Sequence, residues 1–474
     1  MIFVILQMDW NSILLEKRSK GREADLMDYG SKGGVDRISG LPNDILCHIL
    51  SFLPTKYAVA TSVLSTRWKY LWSSVPVLDI DASFHRDFFS FLNIYGSKDS
   101  EISFKRFVNR VLLLNDTPHI QKFRLIYECH YTAAPIHTWL NVAISRHILE
   151  LELDFCLSVP KEFMKFPRNF FMSNSLVVLK LSRMPIIVPS VVCFPMLKVL
   201  EIRRVLYLDD KCTQNLLLGC QVLEELVIEE IIRERPRVID ISIPTLKSFS
   251  FSYKFVTDIS VDCPYKFVIN APNLQYFHVK GRISDAFEVK SLASLIDVHL
   301  DLRETAVLAE NYNDCHQRIC NLFKGLVNAK FLTLSIDVVQ LLCAATADPN
   351  LPRFYNMNTL ALGIGLDLDF GRERLVSLVT EFIKCSPDLD ALTLYNKQGI
   401  LRDVEELRRN PPEAAPDYLQ SHLKDILIQE LYSNFLPEDV EYLVQDVNVL
   451  KRLKINCQCP FMLKCQLNYT APVE

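Results

Sequence analysis

One pattern recurs along this chain too often to be an accident of composition. An apolar–x–x–apolar–x–apolar unit appears as IQKFRL at 120, ILELEL at 148, LVVLKL at 176, LKVLEI at 197 and LEELVI at 223. It continues as LKSFSF at 246, LQYFHV at 274, LIDVHL at 295, AKFLTL at 329, MNTLAL at 357, LDALTL at 389, LKDILI at 423 and LKRLKI at 450. That is thirteen units, separated by steps of 21 to 34 residues. The closing apolar–x–apolar of each unit has the period of a strand with one buried face. Prolines stand two residues ahead of five units, at Pro118, Pro195, Pro244, Pro272 and Pro387, where a fixed φ can end the preceding segment. Any one unit alone is an ordinary amphipathic segment. Thirteen predict a solenoid, in which each unit gives a short strand to a parallel sheet on the concave face and then returns over the outside. LLLGCQVLEEL and EFIKCSPDLDAL read as outer helices turning back into the next strand.

Ahead of the repeats lies LPNDILCHILSFLPT, from Leu41 to Thr55. A helix docked on its own domain needs an apolar stripe of roughly 100°. At about 100° per residue, Ile45, Leu46, Ile49, Leu50, Phe52 and Leu53 fan across roughly 160°. Asp44 sits among the capping residues and Pro54 ends the helix after Leu53. Thr55 is placed to cap a second helix, KYAVATSVL, with Tyr57, Ala60, Val63 and Leu64 to one side, and Ser65 and Thr66 allow a third start at RWKYLW. Three short helices in about 40 residues bury too little surface to stand alone. They need a partner, inside the chain or outside it.

The flanking segments differ in character. Residues 1–35 are polar and glycine-spotted, with KRSKGR at Lys17 to Arg22, and read as a flexible tail. RRNPPEAAPDY, residues 408–418, carries three prolines among charges and reads as a linker or exposed loop, placed at residues 404–416 in the domain division. Residues 417–474 follow with strand, loop, helix and strand character, the helix running from about Glu438 to Val447 with its acidic residues early, which suits the helix dipole.

Composition narrows the function classes. With 474 residues, 49% hydrophobic, the chain is long enough for a large core. A net charge of −4 gives no electrostatic footprint for nucleic acid. Fourteen cysteines without any C-x-x-C read as reduced thiols, and MIFVIL is too short an apolar run for a signal peptide or a span. The expected setting is the cytoplasm, the nucleus or both, without membrane attachment; the N-x-T sequons at Asn115 and Asn468 then carry no weight.

Catalytic templates fail in turn. None of the ten histidines precedes a glutamate, the phosphate-binding G-x-x-x-x-G-K-[ST] and the nucleophile G-x-S-x-G are absent, and GIGLDL lacks the third glycine of a dinucleotide loop. Cys457, Cys459 and Cys465 lack the second pair or nearby histidine of a structural zinc site. Cys315, His316 and Cys320 read as part of an amphipathic segment, and Glu224–Glu225 and Glu229–Glu230 as solvated edges of strands. The expectation is no catalytic residue, no metal and no cofactor.

The segment from Asp36 to Asp81 closely resembles the F-box of plant F-box/leucine-rich-repeat proteins. The matching elements are Leu41-Pro42, Ile45-Leu46, Ile49-Leu50, Phe52-Leu53-Pro54-Thr55, the AVATSVLSTRW helix and the LW ahead of VPVLDID. The tail from about 417 to 458 is similar to the FBD domain that often ends this family, through LKDILI and VLKRLKI. The resemblance implies an α/β chain: a three-helix F-box over residues 36–82, an irregular leucine-rich-repeat solenoid over 83–403 and an FBD-like α/β unit over 417–474. It also implies a non-catalytic subunit of an SCF-type ubiquitin ligase, whose F-box docks on the small adaptor subunit and through it on a cullin, while the repeats bind a protein target. The adaptor-binding residues it carries over are Leu41, Pro42, Ile45, Leu46, Ile49, Leu50, Leu53, Val63, Leu64, Trp68 and Leu71, some of which must serve internal packing. Two other readings stand beside it: a scaffold that binds the adaptor without delivering substrates, and a helical cap that merely shields the first repeat. A hydrolase or transferase hidden in the solenoid is disfavoured by the failed templates. Target-binding residues are not assigned. The outward row Arg124, Glu152, Lys180, Glu201, Val227, Ser250, His278 and His299 is mixed, which favours a protein over a polyanion.

Overall fold

The structure, a computed structural model, describes residue 38 and residues 40–82, 98–127, 134–155, 166–207, 211–231, 237–254, 265–283, 286–290, 292–303, 312–344, 351–364, 372–395, 425–429 and 452–456. The expected tail, the 404–416 linker, the helix near Glu438–Val447 and the Cys457 cluster lie outside the described residues. The chain divides into two compact units, residues 1–222 and 223–474.

In the first unit α1 (Asn43–Leu50) and α2 (Thr55–Ala60) lead through two short 3-10 segments, Thr61–Val63 and Leu71–Ser74, into β1 (Val77–Asp81). There follow α3 (Lys98–Leu114), β2 (Lys122–Tyr127), α4 (Ala134–Ser145), β3 (Glu150–Phe155), β4 (Val178–Ser182), β5 (Pro185–Ile186), β6 (Val199–Arg203), β7 (Leu206–Tyr207) and α5 (Cys212–Leu218). β1, β2, β3, β4 and β6 pair in that order, all parallel. The register stacks like positions of the repeat on one another. Leu78, Phe123, Leu151, Leu179 and Leu200 form one buried row, and Ile80, Leu125, Leu153, Leu181 and Ile202 the next. None of these ten side chains is more than 1% exposed. The sheet thus begins inside the segment read as helical, because VLDID alternates as a strand must.

The second unit holds β8 (Glu225–Ile231), β9 (Arg237–Ile241), β10 (Ser248–Lys254), β11 (Tyr265–Ile269), β12 (Tyr276–Arg282), β13 (Ala286–Val289) and β14 (Asp297–Arg303). Then come α6 (Tyr312–Gly325), β15 (Phe331–Leu334), α7 (Ile336–Ala344), β16 (Thr359–Gly363), α8 (Arg372–Cys385), β17 (Ala391–Tyr395), β18 (Asp425–Gln429) and β19 (Arg452–Asn456). The main ladder runs β8-β10-β12-β14-β15-β16-β17-β18-β19, again parallel. Each of the thirteen repeat units supplies one main-ladder strand, starting two residues after the unit's first apolar residue.

Apart from the short parallel pair β5–β7, most return segments are of two kinds. α4, α5, α6, α7 and α8 are returns of the helical kind the sequence leads one to expect. β9, β11 and β13 instead form a second parallel ladder, each strand starting eleven residues before the next main strand. The segments RVIDI, YKFVI and AFEV alternate with period two, which a helix cannot bury on one side. Phenylalanines fill the space between the two ladders: Phe251 meets Phe267 edge-on at 4.6 Å, and Phe267 stacks on Phe287 at 5.0 Å.

The prolines do more than end segments. In Phe194-Pro195-Met196-Leu197, Ile243-Pro244-Thr245-Leu246, Ala271-Pro272-Asn273-Leu274 and Ser386-Pro387-Asp388-Leu389, the leucine N–H donates to the carbonyl three residues back, at 3.3, 3.2, 3.0 and 3.2 Å. Proline sits at the second position of each turn, where its fixed φ is preset for the bend. The buried leucine then anchors the strand that follows. Among the described residues no helix is long and apolar enough to cross a membrane, and Asn115 is buried, its amide donating to Val75 O at 3.0 Å.

Candidate docking site

The N-terminal helices are shorter than the sequence suggests. α1 stops at Leu50, and residues 51–53 leave it through tighter bonds, Phe52 N to Ile49 O at 3.3 Å and Leu53 N to Leu50 O at 3.1 Å. Pro42 rather than Asp44 occupies the N-cap; Asp44 lies in the first turn, at the positive end of the dipole. α2 begins on the Pro54 carbonyl, which accepts from Tyr57 N at 2.8 Å and Ala58 N at 3.1 Å. The Thr55 hydroxyl does not cap that helix: it accepts the amide of Asp79 on β1 at 2.8 Å. β1 stands at the end of the strand order, so this bond covers an outward amide of an edge strand. The third helical start is the 3-10 segment Leu71–Ser74.

Side-chain burial separates the apolar fan into two stripes. Leu46 and Leu50, one turn apart, are 0% and 1% exposed, and Trp68 and Leu71 are buried with them. Cys47 Sγ lies 3.4 Å from Leu71 O, where burial and the nearby Asp44 carboxylate push its thiol pKa up. Arg67 fastens the start of α1, its guanidinium bonding Asn43 Oδ1 at 2.9 and 3.2 Å and the Leu41 carbonyl. The other stripe is bare. Ile45, Ile49 and Leu53 are 46%, 42% and 37% exposed, and Phe52 is 75% exposed with its ring edge-on to His48 at 4.9 Å. Pro42 and Leu64 are also exposed, and Leu41 and Val63 are half-buried. Of the residues carried over by resemblance, Pro42, Ile45, Ile49, Leu53 and Leu64 present themselves outward, while Leu46, Leu50, Trp68 and Leu71 form the interior that holds them there. Phe52 and Tyr70 are exposed apolar side chains missing from that set. Phe52 belongs to the same apolar fan and could have been included on that ground.

The module is tied firmly to the sheet. Ser73 Oγ donates to Asp116 Oδ2 at 3.0 Å, Asp116 N returns a bond to Ser73 O at 2.9 Å, and Gln121 N donates to Pro76 O at 2.9 Å. Among the described residues no group of three or more His, Cys, Asp or Glu is placed to hold a metal. Glu229 lies within β8 and is half-buried rather than at a solvated strand edge, and Cys315 and Cys320 lie buried on α6. Burial lowers the His316 pKa and raises that of Cys320, each shift favouring the uncharged form.

The open face of the first unit's sheet is a lattice of ion pairs. Arg124 bonds Asp79 at 2.8 Å and Glu152 at 3.0 Å across adjacent strands. Glu201 is paired by Lys180 and, at 3.0 Å, by Arg203. Burial alone would raise the Glu201 carboxyl, but those two hydrogen bonds outweigh it and hold its pKa below the ordinary value.

Known proteins share both parts of this architecture. The F-box domain pattern matches residues 38–79, and the pattern described as FBD-associated F-box protein At5g56370, LRR repeats, matches residues 136–292. The chain is 34% identical to F-box/LRR-repeat protein At4g14096 of Arabidopsis thaliana over 390 residues, covering 79% of this chain and 75% of that one. It is 33% identical to F-box/LRR-repeat protein At4g14103 of the same plant, covering 78% and 93%, and 31% identical to its FBD-associated F-box protein At4g10400, covering 82% and 85%. F-box domains in general serve SCF-type ubiquitin ligases by joining a small adaptor and, through it, a cullin. A helical module with one apolar stripe sealed and another bare, running into a stack of parallel repeat strands, therefore has its explanation in descent: this chain belongs to the plant F-box/FBD/LRR-repeat protein family.

Proposed function

We propose that this chain is the target-recognition subunit of an SCF-type ubiquitin ligase, non-catalytic itself and working in the cytoplasm, the nucleus or both. The observation that carries the reading is the bare stripe of Ile45, Ile49, Phe52 and Leu53 beside the sealed Leu46 and Leu50. A cap that served only its own solenoid would have no use for a second apolar stripe. The adaptor subunit covers that stripe, and the repeats hold a protein target near the transfer site. The ubiquitin thioester belongs to another subunit, so this chain contributes proximity rather than chemistry.

The test is Ile49→Asp in the full chain, measured against purified adaptor. Burying an Ile contributes roughly 1.5–3 kcal/mol and burying an unpaired carboxylate costs more, so affinity should fall by roughly a hundredfold or more. Far-UV circular dichroism and the urea midpoint should stay unchanged. Leu46→Ala is the contrasting variant, destabilising by roughly 2–5 kcal/mol as a cavity in the module's interior. An Ile49→Asp chain that keeps its affinity would overturn the reading. An adaptor-bound chain whose deletion stabilises no protein in the cell would favour a scaffold instead.

A further inference from the structure

The open face of the second unit's sheet also carries ion pairs, such as Lys280 with Asp301 at 3.1 Å, but aromatic and histidine side chains stand beside them. Its solvent-side rows follow from the register. Tyr276 on β12 lies beside Asp297 on β14, and Asp297 beside Phe331 on β15. One step along the strands, His278 lies beside His299, and His299 beside Thr333. Neighbouring strands are about 4.8 Å apart, so the Tyr276 and Phe331 positions flank the Asp297 position across roughly 10 Å. Both rings are 41% exposed, high for large aromatic side chains on a folded sheet. Their inward neighbours Phe277, Val298 and Leu332 are fully buried and fix the strands beneath them. His278 Nε2 is 3.0 Å from Asp297 Oδ2, and the two imidazoles of His278 and His299 meet edge-on at 6.1 Å. His278 thus holds the Asp297 carboxylate on the strand between those bearing Tyr276 and Phe331.

We infer that Tyr276, Asp297 and Phe331 form a subsite for an arginine side chain of the protein target. The inference rests on the receptor reading above and names what the repeats grip. Two exposed aromatic side chains on strands two spacings apart leave room for one planar guanidinium, whose cation–π attraction to each ring needs an approach within about 6 Å. A carboxylate at the floor supplies the opposite charge and accepts the guanidinium's paired N–H donors. Lysine offers a point charge without the plane, and so gains less from the rings. An acidic side chain would meet Asp297 with like charge. A purely apolar one would shield the carboxylate and its histidine partner from water without adding a bond, at a cost in desolvation.

The test pans a phage-displayed random dodecapeptide library on the full chain and measures selected peptides by fluorescence anisotropy. The expected result is a set of peptides sharing one arginine, whose affinity falls at least tenfold on replacing that arginine by citrulline and at least tenfold in Asp297→Asn and in Tyr276→Ala. Phe331→Leu, which keeps an apolar side chain on the strand, should also weaken them, and each variant's urea midpoint reports whether it is folded. Selection of acidic or wholly apolar peptides, of arginine peptides indifferent to these substitutions, or of no peptide overturns the subsite. Adaptor binding by the same protein is read separately: if it persists, only the subsite has failed, and if the unaltered chain binds no adaptor, the receptor reading fails with it.

Discussion

At the scale of single residues, neighbouring side chains of the same chemistry have opposite fates. Ile45 and Leu46 are adjacent and equally apolar, yet one is 46% exposed and the other 0%. Their alternation with period near 3.6 marks a helix, but which stripe turns inward depends on where Trp68 and Leu71 come to rest, and nothing local in the sequence states that. The width of the apolar fan was legible; its division was not. Glu201 illustrates a second kind of dependence. Its carboxylate is held ionised by Lys180 and Arg203 against the pull of burial. A folded-state pKa below the unfolded one contributes stability above the unfolded value and loses it as the pH falls through the folded one. Glu201→Gln should therefore lower stability by about 1.5–3 kcal/mol at pH 7, the range for a lost charge-assisted hydrogen bond. The difference between the two proteins should shrink toward zero below the ordinary carboxylate range, and urea titrations at pH 7 and pH 3 measure it.

Among elements, the main-ladder strands were legible because each repeat states its period twice, once in the apolar–x–apolar of the strand and once in the leucine that anchors the turn. The second ladder was hidden. β9, β11 and β13 are 5, 5 and 4 residues long, with partners 20 to 30 residues away in the chain, and short alternating runs compete poorly with the longer pattern of the main strands. The packing of helix on strand shows how little slack these elements have. A methyl group on Gly363, at the end of β16, would come within 2.6 Å of the Ile336 amide at the start of α7. Backbone cannot swing aside as a side chain can. Gly363→Ala should cost about 1–3 kcal/mol through overpacking, seen as a lower urea midpoint, while adaptor affinity stays unchanged.

Over the molecule as a whole, stacked repeats keep reactive groups out of water. The eight described cysteines are free thiols, and only Cys193 is exposed. Burial pushes the Cys220 thiol up to about 12 and that of Cys343 to about 11, the latter despite Arg374. Treating the native protein with iodoacetamide at pH 8 and mapping the products by mass spectrometry should label Cys193 well ahead of Cys212, Cys220, Cys315, Cys320 and Cys343. Those five should react at the rate of unfolding, since the thiolate is the nucleophile and neither water nor reagent reaches it in the fold.

The bond from the Asp79 amide to the Thr55 hydroxyl carries an evolutionary consequence. An uncovered strand border invites another chain to add itself, and fibres begin that way. Because the same short module supplies both that stopper and the greasy ridge for a foreign subunit, a lineage that discarded its ligase role could not simply delete the helices. It would have to keep them as a plug, with the ridge free to drift toward polar residues.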